Sequence, residues 1–138
     1  MVNTIDMRDL RYLNFFERIT NIRTRYCFEY NNTIIFCIPG KLISKALGPN
    51  ARNIRRISEI LRKRVKIIFL PRNLSDARNF IGSIVSPVMF KDLEITPEEI
   101  ILTAGSQSKA ALIGRNRRRL LEMQKIVRNF FKRDFKIV

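Results

Sequence analysis

Two short glycine-containing segments carry the residue types that could bind an anion. Gly48 and Gly114 each follow a short helical pattern and precede a longer, basic one. A glycine at such a break lets the chain turn sharply and leaves no Cβ in front of an approaching ligand. The helix that follows begins with unpaired backbone N–H groups and the positive end of its dipole, which together favour a phosphate. The spacing therefore predicts two phosphate-binding loops.

Cationic side chains surround both glycines and would bring positive charge to a bound phosphate. The candidate binding residues in the first segment are Lys45, Gly48, Pro49, Asn50, Ala51, Arg52 and Arg55. Those in the second segment are Gly114, Arg115, Asn116, Arg117, Arg118 and Arg119. Pro49 has no backbone N–H to donate, so the second segment is the stronger candidate. The alternative is that the arginines form a solvated helix face, which is the usual role of a charge run.

The overall charge also points to an anionic partner. The 138 residues include 27 Lys and Arg against 12 Asp and Glu, a formal net charge of +15. Because binding to a polyanion releases its condensed counterions, a charge of this size favours a nucleic acid. Histidine is absent, and Cys27 and Cys37 lack the spacing of metal ligands. No catalytic constellation, P-loop or dinucleotide motif is present, so we expect no enzymatic activity, cofactor or metal.

The apolar segments are too short to place the protein in a membrane. None reaches the length of about 20 residues that a membrane-spanning helix requires. Residues 1–6 show no basic region followed by an apolar core, so no secretion signal is predicted. We therefore expect a cytoplasmic protein with reduced cysteines.

An internal repeat with an offset of 66 residues organises the chain. The pairs that match at this offset include Leu47 with Ile113, Gly48 with Gly114, Asn50 with Asn116, Arg52 with Arg118, and Ile54 with Leu120. These matches fall on turn residues and on apolar positions of helical period together. The repeat predicts two domains, residues 1–72 and 73–138, and domains this small are expected to pack together.

The first half predicts a helix, a hairpin, two helices and a strand. The first helix carries Ile5, Tyr12, Phe16 and Ile19 on one side, with Asp6 in its first turn. Strands 25–30 and 33–38, a short helix 41–47, a longer helix through Ile54, Ile57 and Leu61, and a strand 65–70 follow. A two-residue turn at residues 31–32 would place Cys27 across from Phe36 and Cys37 across from Tyr26. The thiols would then lie on opposite sheet faces and could not form a disulfide.

The second half predicts the same order. Its elements are a helix 76–85, strands 88–95 and 100–104, a short helix 106–113, a longer helix through Leu120, Met123, Val127 and Phe130, and a strand 135–138. Residues 96–99 give conflicting signals. Thr96, Pro97 and Glu99 have the order of a helix start with a capping box. The repeat places the following residues over a strand of the first half, so we expect a strand here.

The order of elements, with a glycine loop between the paired helices, resembles the type II KH fold. The KH signature reads approximately Ile-Gly-x-x-Gly-x-x-Ile, and residues 47–54 and 113–120 are similar to it except at the second glycine, which is Ala51 or Arg117 here. If these two residues begin the following helix, nothing is lost; if binding needs a positive φ there, the loop is impaired. The resemblance implies an α+β fold of two tandem KH domains that bind single-stranded RNA. Bases would lie against an apolar groove, and the residues expected in that groove or in the core beneath it are Ile43, Leu47, Ile54, Ala110, Ile113 and Leu120.

A free-standing pair of KH domains of this length also resembles the archaeal NusA family of transcription termination factors. That resemblance implies a monomer that binds the nascent transcript and influences pausing or termination by RNA polymerase. A KH protein of ribosome assembly or rRNA processing would bind RNA through the same loops and is an alternative. Residues 41–61 alone are also typical of a helix-turn-helix DNA-binding regulator, since they form two helices around a glycine turn.

Overall fold

The computed structural model of the protein describes residues 7–138, with side chains from residue 9 onward. The chain has an α+β fold and divides into two compact units after Arg72. We refer to residues 7–72 as unit 1 and to residues 73–138 as unit 2. Ile5 and Asp6, which the sequence placed in the first helix, lie outside the described residues.

Unit 1 contains three helices and a three-stranded sheet, in the predicted order. Its elements are α1 (Met7–Thr20), β1 (Tyr26–Tyr30), β2 (Thr33–Ile38), α2 (Ile43–Leu47), α3 (Arg52–Leu61) and β3 (Arg64–Phe69). β2 is the central strand, antiparallel to β1 and parallel to β3. The predicted turn is confirmed: Asn31 and Asn32 both have positive φ, as the tightest hairpin turns require.

Unit 2 repeats this order and topology. Its elements are α4 (Ala77–Val85), β4 (Asp92–Ile95), β5 (Glu99–Thr103), α5 (Ser106–Ile113), α6 (Arg118–Phe131) and β6 (Asp134–Ile137). β5 is antiparallel to β4 and parallel to β6. The prediction of a strand from Val88 was wrong, because β4 begins only at Asp92. The N–H of Val88 donates to the carbonyl of Val85 at 3.0 Å, so the chain turns there instead of extending.

Of residues 96–99, where a strand was expected, only Glu99 lies in a strand, β5. Residues 96–98 form the turn between β4 and β5. The Thr96 hydroxyl accepts a hydrogen bond from the N–H of Glu99 at 3.0 Å, and the N–H of Thr96 donates to the carbonyl of Glu99 at 2.8 Å. The first of these bonds is the one that a helix N-cap makes. Here it closes a hairpin, because the residues after it pair with β4 and β6.

The two units differ in the length of the helix that precedes the last strand. α3 has 10 residues and α6 has 14. The parallel ladder accordingly pairs Thr33 with Arg64 in unit 1 but Glu99 with Asp134 in unit 2. The repeat offset is therefore 66 residues as far as the last helix and 70 after it. The extra helical turn lies beyond the glycine segments, so it leaves their correspondence unchanged.

The helices of unit 1 pack on one face of its sheet. Phe16 of α1 and Phe36 of β2 are fully buried and stack with their ring centroids 4.5 Å apart. Ile57 of α3 belongs to the same buried cluster and anchors the helix that follows the first glycine segment. In unit 2, Leu120, Met123 and Val127 of α6 are buried in the same way, as the helical spacing predicted.

The predicted cross-strand neighbours of the two cysteines are confirmed. Cys27 lies across from Phe36 and Cys37 across from Tyr26, and neither cysteine forms a disulfide. Burial, and to a smaller extent the neighbouring Cys27, raise the pKa of the Cys37 thiol well above its ordinary value. Cys37 is therefore a protonated core residue at neutral pH.

Candidate nucleic-acid interface

Both glycines adopt a backbone conformation that other residues essentially cannot. Gly48 has φ 74° and ψ 175°, and Gly114 has φ 76° and ψ 171°, a region that only glycine populates without large strain. A Cβ on Gly48 would lie 2.9 Å from the Asn53 amide nitrogen, and one on Gly114 would lie 2.6 Å from Cγ of Arg119. The sequence pattern therefore marked the two positions at which the fold itself demands glycine.

The second and third residues after each glycine give the two segments the same shape. Asn50 and Ala51 are both left-handed, with φ 54° and 56°, and Asn116 and Arg117 match them with φ 55° and 60°. We call residues 48–51 loop 1 and residues 114–117 loop 2. Ala51 and Arg117 thus hold the positive φ themselves and do not begin the following helix. The left-handed region costs a non-glycine residue about 1 kcal/mol, so loss of the second glycine leaves the loop conformation intact.

Backbone hydrogen bonds fix each loop between its two helices. The N–H of Gly48 donates to the carbonyl of Ser44 at 3.2 Å and closes α2, while the N–H of Ala51 donates to the carbonyl of Gly48 at 3.1 Å. The matching bonds of loop 2 measure 3.0 and 3.2 Å. Both loops are therefore braced by the same pair of bonds, which turn the chain into the following helix.

The loops differ in the number of backbone N–H groups left for a ligand. Within the described residues, the N–H of Asn50 in loop 1 has no acceptor, and in loop 2 the same is true of Arg115 and Asn116. Pro49 stands where loop 2 has Arg115 and brings no N–H. Loop 2 therefore offers two donors where loop 1 offers one.

Most of the predicted cationic side chains point into solvent around the loops. Those that are exposed and make no ion pair within the described part of the chain are Lys45, Arg52, Arg55, Arg115, Arg117 and Arg118. Pro49, Asn50 and Asn116 are exposed as well, and Ala51 is half-buried. Each loop is accordingly accompanied by three cations that are available to an anion.

Arg119 occupies a different position from the other arginines. Its side chain is only 14% exposed and its guanidinium donates to the carboxylate of Glu122 one turn along α6. Its Cβ and Cγ lie against Gly114, in the space that the missing glycine Cβ leaves. Asn53 fills the same space beside Gly48 in loop 1, and the sequence interpretation missed it. Its position five residues after the glycine, the same as that of Arg119, is the signal that could have identified it.

The predicted apolar groove is only partly available. Ile43, Leu47 and Ile54 are half-buried and pack on the core cluster of unit 1, so their outer surfaces flank loop 1. Next to loop 2, Ile113 is half-buried and Ala110 exposed, whereas Leu120 is 7% exposed and belongs to the core. Loop 1 thus has the larger aliphatic flank and loop 2 the larger number of donors.

Residues 7–138 contain neither a cluster of potential metal ligands nor a helix that could span a membrane. No three His, Cys, Asp or Glu side chains come together in that part of the chain as metal ligands would. None of its helices has the length and apolar character needed to cross a membrane.

Comparisons with known proteins give a distant similarity. No protein-family model matches the chain. A protein of Halococcus morrhuae named "Probable transcription termination protein NusA" is 24% identical over 93 residues, which are 67% of this chain and 65% of that protein. The crystal structure of APE1850 superimposes on 97% of this chain and 99% of its own with a TM-score of 0.66 and 20% identity. The structural likeness shows that the two chains share a fold, and the sequence similarity supports a NusA-like relationship at most.

Proposed function

We propose that this chain binds single-stranded RNA through two tandem type II KH domains, residues 1–72 and 73–138. The observation that carries the proposal is the repeated loop. Gly48 and Gly114 share a conformation that only glycine adopts, and each is followed, after one intervening residue, by a left-handed pair and then a basic helix. A loop of this kind clamps the backbone of about four nucleotides in KH domains.

The chemistry of the loops supports a phosphate ligand with bases lying beside it. Free backbone N–H groups and exposed guanidinium groups both prefer phosphate oxygens. The half-buried Ile43, Leu47 and Ile54 next to loop 1 provide an aliphatic surface for unstacked bases. Unstacked bases can reach such a surface in a single strand, whereas the bases of an A-form duplex are inaccessible. The arrangement therefore favours single-stranded RNA.

The role in transcription rests on the similarity to the Halococcus protein. By that similarity we propose that the RNA is the nascent transcript, that the protein influences pausing or termination, and that RNA polymerase is a further partner. We also propose a cytoplasmic monomer without enzymatic activity, cofactor or metal. The aligned part spans 65% of the relative. The role in transcription is therefore a proposal of its own, separate from that of RNA binding.

A titration at fixed salt tests RNA binding directly. We expect single-stranded RNA to bind more tightly than duplex DNA of the same length, and a repeat of the titration at higher salt should show a steep fall in affinity. Arg115→Asp combined with Asn116→Asp should weaken RNA binding by about a hundredfold, since carboxylates would stand where phosphates bind. The thermal melt should change little, because both side chains are exposed. Tighter binding to duplex DNA would instead support the helix-turn-helix alternative.

Crosslinking in native cells, followed by sequencing of the bound RNA, tests the cellular role. We expect nascent messenger RNA among the crosslinked species. Recovery of ribosomal precursor RNA alone would contradict the transcription role and favour a KH protein of ribosome assembly. That outcome would leave the proposal of RNA binding itself standing.

A further inference from the structure

Two arginines extend the basic surface of loop 1 along the exposed face of α3. Arg55 and Arg56 are exposed one helical turn after Arg52, a distance of about 5.4 Å along the axis. Arg56 was not among the residues that the sequence suggested for binding. The three arginines lie on two consecutive turns of one helix face, so the positive charge continues from the loop onto the helix.

These arginines are not neutralised by the acidic residue closest to them in sequence. Glu59 lies four residues after Arg55 and three after Arg56, within reach of both on a helix. None of the three side chains makes an ion pair within the described residues. Elsewhere exposed arginines do pair, as Arg78 does with Asp92 at 3.3 Å. The cations on α3 are therefore available to an external anion.

The corresponding face of α6 is different. At the repeat offset, Leu121 stands in place of Arg55 and is 59% exposed, and Glu122 stands in place of Arg56 and holds Arg119. The fold therefore has no need of arginine at these positions. A basic face at this place is particular to unit 1.

We propose that the face of α3 formed by Arg52, Arg55 and Arg56 binds the phosphate backbone of RNA as it leaves loop 1. The inference rests on the proposed function and extends it to a longer stretch of RNA. α3 contains no aromatic residue on which a base could stack. Contacts of this kind position a nucleic acid and carry no sequence information. The face lengthens the bound segment and leaves sequence preference to the loops.

Salt titrations with RNA of two lengths test the surface. One RNA has about four nucleotides, the length that a KH loop clamps, and the other about twelve. Arg55→Gln combined with Arg56→Gln should weaken binding of the longer RNA roughly tenfold, and should reduce the slope of log affinity against log salt by about 1.4. Affinity for the shorter RNA should fall by less, about threefold, because the loop-bound segment is near Arg55 but does not extend to Arg56.

Two control proteins separate a contact from a general charge effect. Lys125→Gln combined with Lys132→Gln removes the same charge from exposed positions of unit 2 and should leave the slope near that of the wild type. Arg55→Lys combined with Arg56→Lys keeps the charge and should retain the slope. The surface is refuted if Arg55→Gln combined with Arg56→Gln keeps the salt slope of the two control proteins. It is also refuted if this variant loses affinity equally for both RNAs. Failure of the wild-type protein to bind either RNA would refute the proposed function instead.

Discussion

Loop 1 and loop 2 follow the same backbone path, yet they present different chemistry. The φ angles of their glycines differ by only 2°, and those of their left-handed pairs by at most 4°. Loop 1 offers one free backbone N–H and a broad aliphatic flank, whereas loop 2 offers two N–H groups and a flank reduced by the burial of Leu120. The fold therefore fixes the shape of such a loop, while single side chains decide what the loop can bind.

A second contrast lies within each loop, between its first and fourth residues. The glycine adopts a conformation that other residues essentially never adopt, whereas the fourth residue is left-handed, a region that Ala51 and Arg117 enter at a cost of about 1 kcal/mol. This difference explains why both loops keep the first glycine of the KH signature and neither keeps the second.

The largest expected effect comes from replacing the glycines. Gly114→Ala should lower the free energy of unfolding by about 3 kcal/mol and Gly48→Ala by about 2 kcal/mol, measured by urea denaturation. The first is larger because the new Cβ would meet the backbone nitrogen of Arg119 at 3.1 Å, whereas at Gly48 the obstacle is a movable side-chain amide. Gly40→Ala is the control, since its nearest contact would be an ordinary 3.7 Å. Equal stability of all three variants would contradict this account.

A matched pair of substitutions compares the loops as ligand sites. Asn116→Asp should weaken binding of single-stranded RNA about tenfold and Asn50→Asp about threefold, measured by fluorescence anisotropy at fixed salt. Aspartate tolerates the left-handed conformation, so both loops should keep their shape. The added charge matters more where two N–H groups hold the phosphate. A larger loss for Asn50→Asp would make loop 1 the principal site.

Substitutions of Arg118 and Arg119 should distinguish a residue that contacts RNA from one that supports loop 2. Arg119→Met should cost about 1 kcal/mol of stability, because it removes the partly buried pair with Glu122, and should leave the salt dependence of binding unchanged. Arg118→Met should leave stability unchanged and reduce the salt slope by about 0.7. Unfolding and binding titrations on both variants would show the two effects. Exchange of the two phenotypes would place Arg119 in the binding surface.

The smallest effect concerns the fourth residue of loop 1. Ala51→Gly should raise the free energy of unfolding by about 0.5 kcal/mol, because relief of the left-handed strain exceeds the added entropy of the unfolded chain. Ala111→Gly, at an exposed helical position of α5, should lower it by about 0.5–1 kcal/mol. Thermal melts compare the two substitutions directly. Destabilisation by both would show that Ala51 is not strained.

Sequence alone determined the features of this protein that depend on neighbouring residues. The periodicity of Ile54 and Ile57, the turn at Asn31 and Asn32, and the glycines at Gly48 and Gly114 predicted the order of elements, the register of the first hairpin and the position of both loops. Each of these depends on side-chain period or on backbone conformations that few residues can adopt. Such preferences act over a few residues and are therefore readable without a structure.

Tertiary structure decided what depends on residues distant in the chain. The capping pattern at Thr96 became a hairpin turn because pairing with β4 and β6 outweighed the local preference for a helix. The extra turn of α6 is evident from the pairing of β5 with β6, in which Glu99 lies opposite Asp134. Arg119 belongs by sequence to a basic run, yet the glycine beside it and the carboxylate of Glu122 turn it inward. Packing and pairing compete with local preference at each of these places, and their outcome is set by groups that the local sequence does not contain.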